Sequence, residues 1–201
     1  MTIETLAQLR ELYGAPNPRA LAKQLPVLDR HCRNFIGLSP YVVLATAGAD
    51  GTLDSSPRGG EPGFVEVIDD GRLLIPDAPG NKRLDSLQNI VETGRIGLLF
   101  LIPGVDETLR VNGLARLSQD DALRARFDDA ARRPKLVIDV SVRDAYLHCA
   151  KSLMRSRLWN PDSRIERSRL PTMGQMLKEQ IGMAGEPESQ EAMLARYQAD
   201  L

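Results

Sequence analysis

Apolar residues recur along this chain with two different periods, and the change of period divides it. In Thr5–Leu12 the leucines Leu6, Leu9 and Leu12 share one helical stripe, which Gly14 ends. A second helical stretch is predicted from about Pro18 to Ile36, interrupted at Pro26, with Leu28, Cys32, Phe35 and Ile36 on one face and Ser39-Pro40 closing it. From Tyr41 the pattern becomes that of strands. Tyr41–Thr46, Leu53–Arg58, Phe64–Val67 and Arg72–Pro76 are short runs joined by turn signals at Ala49-Asp50-Gly51-Thr52 and Asp69-Asp70-Gly71. Helical spacing returns over Asn81–Thr93, where Leu84, Leu87, Ile90 and Val91 are apolar and Gly94 suits the C′ position. Arg95–Ile102 reads as a buried strand. Glu107–Leu117 alternates, placing Leu109, Val111, Gly113, Ala115 and Leu117 on one face and Arg110, Asn112 and Arg116 on the other. A short helix over Asp120–Arg132 and a strand over Leu136–Val142 complete the pattern.

Six or seven strands with hairpin turns and one inserted helix predict a mainly β (α+β) protein, an antiparallel barrel or curled sheet. The expected organisation is helices over 1–38 packing on a barrel over 39–160, with a polar, weakly helical extension over 161–201. At 201 residues one domain is expected. Composition then removes whole classes. Lys and Arg number 26 against 27 Asp and Glu, and aromatics make up 4%. That gives neither the basic excess that wraps nucleic acid nor an aromatic platform for bases. No apolar run approaches the ~18 residues of a membrane span, and Met1–Thr5 lacks a basic, then apolar, leader pattern. Two cysteines make no disulfide framework. The expectation is a cytoplasmic protein with neither nucleic acid nor membrane as partner.

The near-zero net charge conceals local imbalance. Tyr41–Gly80 carries seven acids and two arginines, Arg58 and Arg72, whereas Arg143–Leu170 carries seven basic residues and three acids. Three basic motifs stand out. In Gly80-Asn81-Lys82-Arg83, an N-cap at Asn81 would place two cations in the first turn of a helix, where the dipole opposes them unless an anion is bound. In Ser56-Pro57-Arg58-Gly59-Gly60, Ser56 and Arg58 share a strand face and the glycines admit a ligand close to the backbone. From His148 to Trp159 no carboxylate accompanies Lys151, Arg155 and Arg157. A helix there would align His148, Lys151 or Ser152, Arg155 and Trp159. Each motif is also compatible with an ordinary solvated surface or, for Trp159, a core contact. Together they describe a site for a phosphorylated, planar, electron-poor ligand.

These residues, with Ser39-Pro40-Tyr41-Val42-Val43-Leu44-Ala45-Thr46, Pro62-Gly63-Phe64-Val65, Leu98-Leu99-Phe100-Leu101, Leu109-Arg110-Val111-Asn112-Gly113 and His148-Cys149, occur in an order that resembles the pyridoxamine 5′-phosphate oxidase-like FMN-binding split-barrel family over about residues 25–160. The resemblance implies a six-stranded antiparallel split β-barrel with flanking helices, forming a homodimer with FMN in two clefts at the interface. It implies Ser56, Arg58 and Gly59 along the flavin ring and ribityl chain, and Asn81, Lys82 and Arg83 at the phosphate. Arg110, Asn112, Arg155 and Trp159 would reach the cleft, some from the second subunit. The implied activity is that of an FMN-dependent oxidoreductase acting on a small molecule, with NAD(P)H as a candidate reductant. The alternative is a flavin- or haem-binding protein without turnover. Pyridoxamine 5′-phosphate oxidase activity itself is not expected, because the tail from Leu170 lacks the basic, aromatic character that grips the vitamin phosphate.

Other chemistry has little support in the sequence. The two histidines precede the two cysteines, as His31-Cys32 and His148-Cys149, and adjacent residues diverge too far to chelate a metal easily or to form a dyad. A haem would have His148 or His31 as its only histidine ligands.

Overall fold

The computed structural model describes residues 2–128 and 133–198. Three helices open the chain. Helix α1 (Leu6–Tyr13) starts at a capping box of Thr5 and Gln8 and ends at Gly14, whose φ of 71° suits a residue without a Cβ. Helix α2 (Pro18–Ala22) follows an Asn17 cap, and α3 (Arg30–Leu38) follows Asp29, whose carboxylate accepts from the His31 and Cys32 N–H groups. Neither α1 nor α2 has a buried residue. Helix α3 buries Cys32, Phe35 and Ile36, the stripe expected from the sequence.

The strands are β1 (Tyr41–Ala47), β2 (Leu53–Gly59), β3 (Glu66–Asp69), β4 (Arg72–Pro76), β5 (Arg95–Leu101), β6 (Thr108–Ser118) and β7 (Val137–His148), with α4 (Asp85–Thr93) between β4 and β5 and α5 (Asp121–Ala125) between β6 and β7. All pair antiparallel in one sheet of order β2-β1-β5-β6-β7-β4-β3. The sheet therefore has seven strands, where a six-stranded barrel was expected, and it is not closed: β2 and β3 are its edges. The short β3 takes an edge position, which suits a strand with three partly buried residues and an exposed Asp69. It starts two residues later than the apolar run suggested, because Phe64 closes a turn onto the Glu61 carbonyl.

Alternation divides the sheet into two faces. Val42 and Leu44 of β1 lie opposite Phe100 and Leu98 of β5, which lie opposite Leu109 and Val111 of β6, and all are essentially without exposure. Leu28, α3 and α4 pack on this inner face, with Leu73, Ile75, Ile138 and Val140 joining the same core. At Asn112/Gly113 a bulge shifts the β6–β7 register, leaving Arg143 as the extra residue between the Asn112↔Asp144 and Gly113↔Val142 pairs. The bulge explains why β7 runs six residues beyond the predicted end at Val142: alternation changes phase there while the ladder continues to His148.

Helix α4 starts at Asp85, four residues later than expected. Lys82 and Leu84 both have φ of 64°, a left-handed conformation that interrupts any helix begun at Asn81. Its end at Gly94, φ 65°, is as expected. Of the helix expected over Asp120–Arg132, α5 forms the first part, and 129–132 lie outside the described residues. After β7 come α6 (Lys151–Ser156), two short 3₁₀ turns, α7 (Met173–Ile181) and α8 (Gln190–Gln198). Among the described residues no helix is long and apolar enough to cross a membrane.

Candidate functional site

The predicted site residues fall into three groups. The first lies on the inner side of the edge strand β2. The register Thr46↔Asp54, Leu44↔Ser56, Val42↔Arg58 places Asp54, Ser56 and Arg58 on the same side as the buried residues of β1. The connection from β4 to α4 serves this same row. At one end the half-buried Asp77 feels Arg58: burial pushes its carboxyl above the ordinary 3.8, and Arg58 and Lys135 pull the other way. At the other end Asp54 accepts hydrogen bonds from the Ser56 and Ser86 hydroxyls. Asn81 is not a helix cap. Its Oδ1 accepts from the Arg83 N–H at 3.1 Å, closing a turn before the helix, while the Arg83 guanidinium donates to Asp85 at 2.8 Å. The start of α4 has no side-chain cap, so its first-turn N–H groups lack a side-chain partner. A cleft of about 490 Å³ passes Arg83 and is lined also by Asp50, Asp54, Asp85 and Glu92, which the sequence motifs had not singled out.

The second group lies on the opposite face. Arg110 and Asn112 on β6 face Tyr146 and Asp144 on β7, with Arg110 Nη1 donating to the Tyr146 hydroxyl at 2.7 Å and Asn112 Nδ2 to Asp144 at 2.9 Å. The third group does not form the helical stripe expected. His148 ends β7, α6 spans only Lys151–Ser156, and Arg157 is a left-handed cap with φ of 53°, so Trp159 lies beyond the helix. Trp159 Nε1 donates to the Val105 carbonyl at 2.9 Å and so ties this segment to the β5–β6 connection, while Arg155 is exposed. One protomer thus has Ser56 and Arg58 on one face of the sheet, with Arg83 in the cleft beside Asp54 of the same row, and holds Arg110 and Asn112 on the other.

The sequence motifs missed Lys23 and Tyr146. The segment after α2 pairs with β7, Leu25 exchanging both backbone hydrogen bonds with Ala145, and this carries Lys23 Nζ to 2.6 Å from the Leu147 carbonyl. No pattern in the sequence announces a single bridge between such distant positions. Among the described residues no group of His, Cys, Asp or Glu could hold a metal ion. Burial raises the Cys32 thiol to about 11, with Asp29 adding to the effect, so it stays protonated and inert; Cys149 is exposed.

Residues 28–149 match the family model described as Pyridoxamine 5′-phosphate oxidase. Among solved structures, a histidine-to-alanine variant of HupZ from Group A Streptococcus is 17% identical, with 60% of this chain covering 99% of that one at a TM-score of 0.51. An FMN-binding protein from Syntrophomonas wolfei is 14% identical, with coverage of 72% and 97% and a TM-score of 0.47. No curated protein gives a significant match.

Proposed function

The chain belongs to the pyridoxamine 5′-phosphate oxidase family, and from that premise we propose that it binds FMN and acts in the cytoplasm as an oxidoreductase on a small molecule. The observation that carries the proposal is the start of α4. An uncapped helix N-terminus follows a segment holding two cations, Lys82 and Arg83, and two non-glycine residues in left-handed conformations. Such conformations cost ~1–3 kcal/mol each and persist where the surroundings or a ligand favour them. Free N–H groups, dipole and cations suit a phosphate. The Arg83–Asp85 pair is no obstacle: Arg83 is three-quarters exposed, so water screens the pair, and a phosphate dianion is the stronger partner.

Ser56, Arg58 and Gly59, on the same side of the edge strand, would then lie along the ribityl chain and ring. The flavin, when bound, supplies the hydride and electron chemistry. The chain's own residues bind and polarise it, Arg58 and Arg155 acting as fixed positive charges. The split of the residues between two sheet faces supports a homodimer, since only a second copy can present Arg110 and Asn112 to the cleft of the first. Tyr41 and Leu114, large apolar residues 40–42% exposed on that outer face, are available for such a contact. In this arrangement residues 39–160 form the flavin-binding unit, with 1–38 and 161–201 flanking it.

Incubation with FMN followed by gel filtration tests the reading: the protein peak should carry bands near ~370 and ~450 nm that NADH or NADPH bleaches without oxygen. Bands that no reductant bleaches would leave a flavin carrier, and no bands at all would end the proposal. Arg83→Ala should weaken FMN at least about tenfold, or ~1.4 kcal/mol. An unchanged dissociation constant would place the phosphate elsewhere.

A further inference from the structure

On the outer face, Tyr146 is surrounded by positive charge. Its ring centroid lies 5.5 Å from Lys23 Nζ, 5.3 Å from the Arg110 guanidinium carbon and 4.9 Å from the His148 ring centroid. Among the described residues neither Lys23 nor Arg110 forms an ion pair. Lys23 is held by a backbone carbonyl and Arg110 by the phenol oxygen. Asp144, two residues along β7 from Tyr146, accepts from Asn112. His148 Nε2 is shielded from solvent and has no hydrogen-bond partner, the one such side-chain atom among the described residues. Two cations sharing one ring repel each other, and a buried nitrogen without a partner is destabilising. A negatively charged group with several acceptor oxygens would relieve both.

We infer that Lys23, Arg110, Tyr146 and His148 form a subsite for the oxyanion of a small substrate, a phosphoryl or carboxylate group. Arg110 and Lys23 supply charge. The Tyr146 hydroxyl, which already accepts from Arg110, keeps its proton to donate, and His148 turns its free nitrogen to the same ligand once protonated. Burial, then Arg110 and Lys23, keep the imidazole below its ordinary 6.5, so it is mainly neutral at pH 7 while the subsite is empty. A bound anion reverses that balance. The subsite's role in turnover rests on the flavin reading above; its affinity for an oxyanion does not.

With only two histidines, proton NMR follows each ring separately, His148→Gln assigning the signals and the exposed His31 serving as reference. In phosphate-free buffer His148 should titrate below 6.5. Saturating inorganic phosphate should raise its midpoint by about one unit or more. Acetate in place of phosphate distinguishes a carboxylate from a phosphoryl site by which anion acts at lower concentration. Arg110→Gln should weaken the effective anion about tenfold, and Tyr146→Phe, which removes only a hydroxyl, several-fold. A His148 midpoint indifferent to both anions overturns the inference. So does exclusion of the anion by FMN, which would give the cations to the cofactor. A missing flavin spectrum with an intact His148 response would instead count against the flavin reading alone.

Discussion

Asp139→Ala is expected to lower the folding free energy by about 1.5–3 kcal/mol, the usual cost of losing charge-assisted hydrogen bonds whose partner arginines remain partly in water. Asp139 sits on β7 with its side chain 2% exposed. It accepts from Arg72 at 2.8 and 3.0 Å and from Arg116 at 2.8 Å. Removing the carboxylate leaves two guanidiniums facing each other across the β4–β7–β6 ladders, with a void between them. Urea denaturation at pH 7 measures the loss as a fall in midpoint. The pH dependence identifies its origin. Burial pushes the Asp139 carboxyl up, but hydrogen bonds from Arg72 and Arg116 to its charged form outweigh this and hold it below 3.8. A folded value below the unfolded one gives stability that is complete above the unfolded value and is lost as pH falls through the folded one. The gap between wild type and variant should therefore be full at pH 7 and shrink below about pH 4. A gap that stays constant into acid would mean that the variant suffers from lost packing rather than lost charge.

Gly113→Ala is expected to destabilise by about 3 kcal/mol. A Cβ at this position would lie 2.3 Å from the Ser141 carbonyl oxygen and 3.2 Å from Val140 Cγ1. The first of these atoms is backbone of the neighbouring strand and can move only by spreading the β6–β7 ladder at its bulge. Gly37→Ala is the control. It lies in α3 with nothing within 4 Å of the added carbon, and alanine there should be neutral or stabilising by ~0.5–1 kcal/mol. Equal midpoints for the two variants would show that the bulge tolerates a side chain.

These two sites illustrate how much the sequence discloses. Short runs bounded by turn signals located β1, β2, β4 and β5, and alternation located β6, each to within a residue or two. The stripe of Leu28, Cys32, Phe35 and Ile36 likewise became buried residues of one core. The failures came where local pattern and tertiary contact diverge. The β7 alternation changes phase at a bulge whose cause lies across the sheet at Gly113. Helix α4 was expected four residues early, since Asn81, Lys82 and Arg83 all suit a helix start and nothing in their chemistry reveals the left-handed turns at Lys82 and Leu84. The same limit applies to the site. Charge imbalance singled out Arg58, Lys82, Arg83 and Arg155, and the family resemblance added Arg110, but neither could place Arg110 on the opposite face from Arg58. Nor could it bring Lys23 to β7, because that proximity depends on one backbone bridge between distant positions. The stripe through His148 and Trp159 assumed a continuous helix where a strand ends, a short helix intervenes and Arg157 reverses the chain.

The central claim is that this chain recognises FMN through its phosphate at the start of α4. Titrating FMN and riboflavin separately with the purified chain, and following flavin fluorescence, tests it most directly. Charge-assisted contacts of ~1.5–3 kcal/mol predict that FMN binds roughly 10- to 150-fold more tightly than riboflavin, at one flavin per chain. Equal affinity for the two flavins, or no quenching of either, would contradict the account.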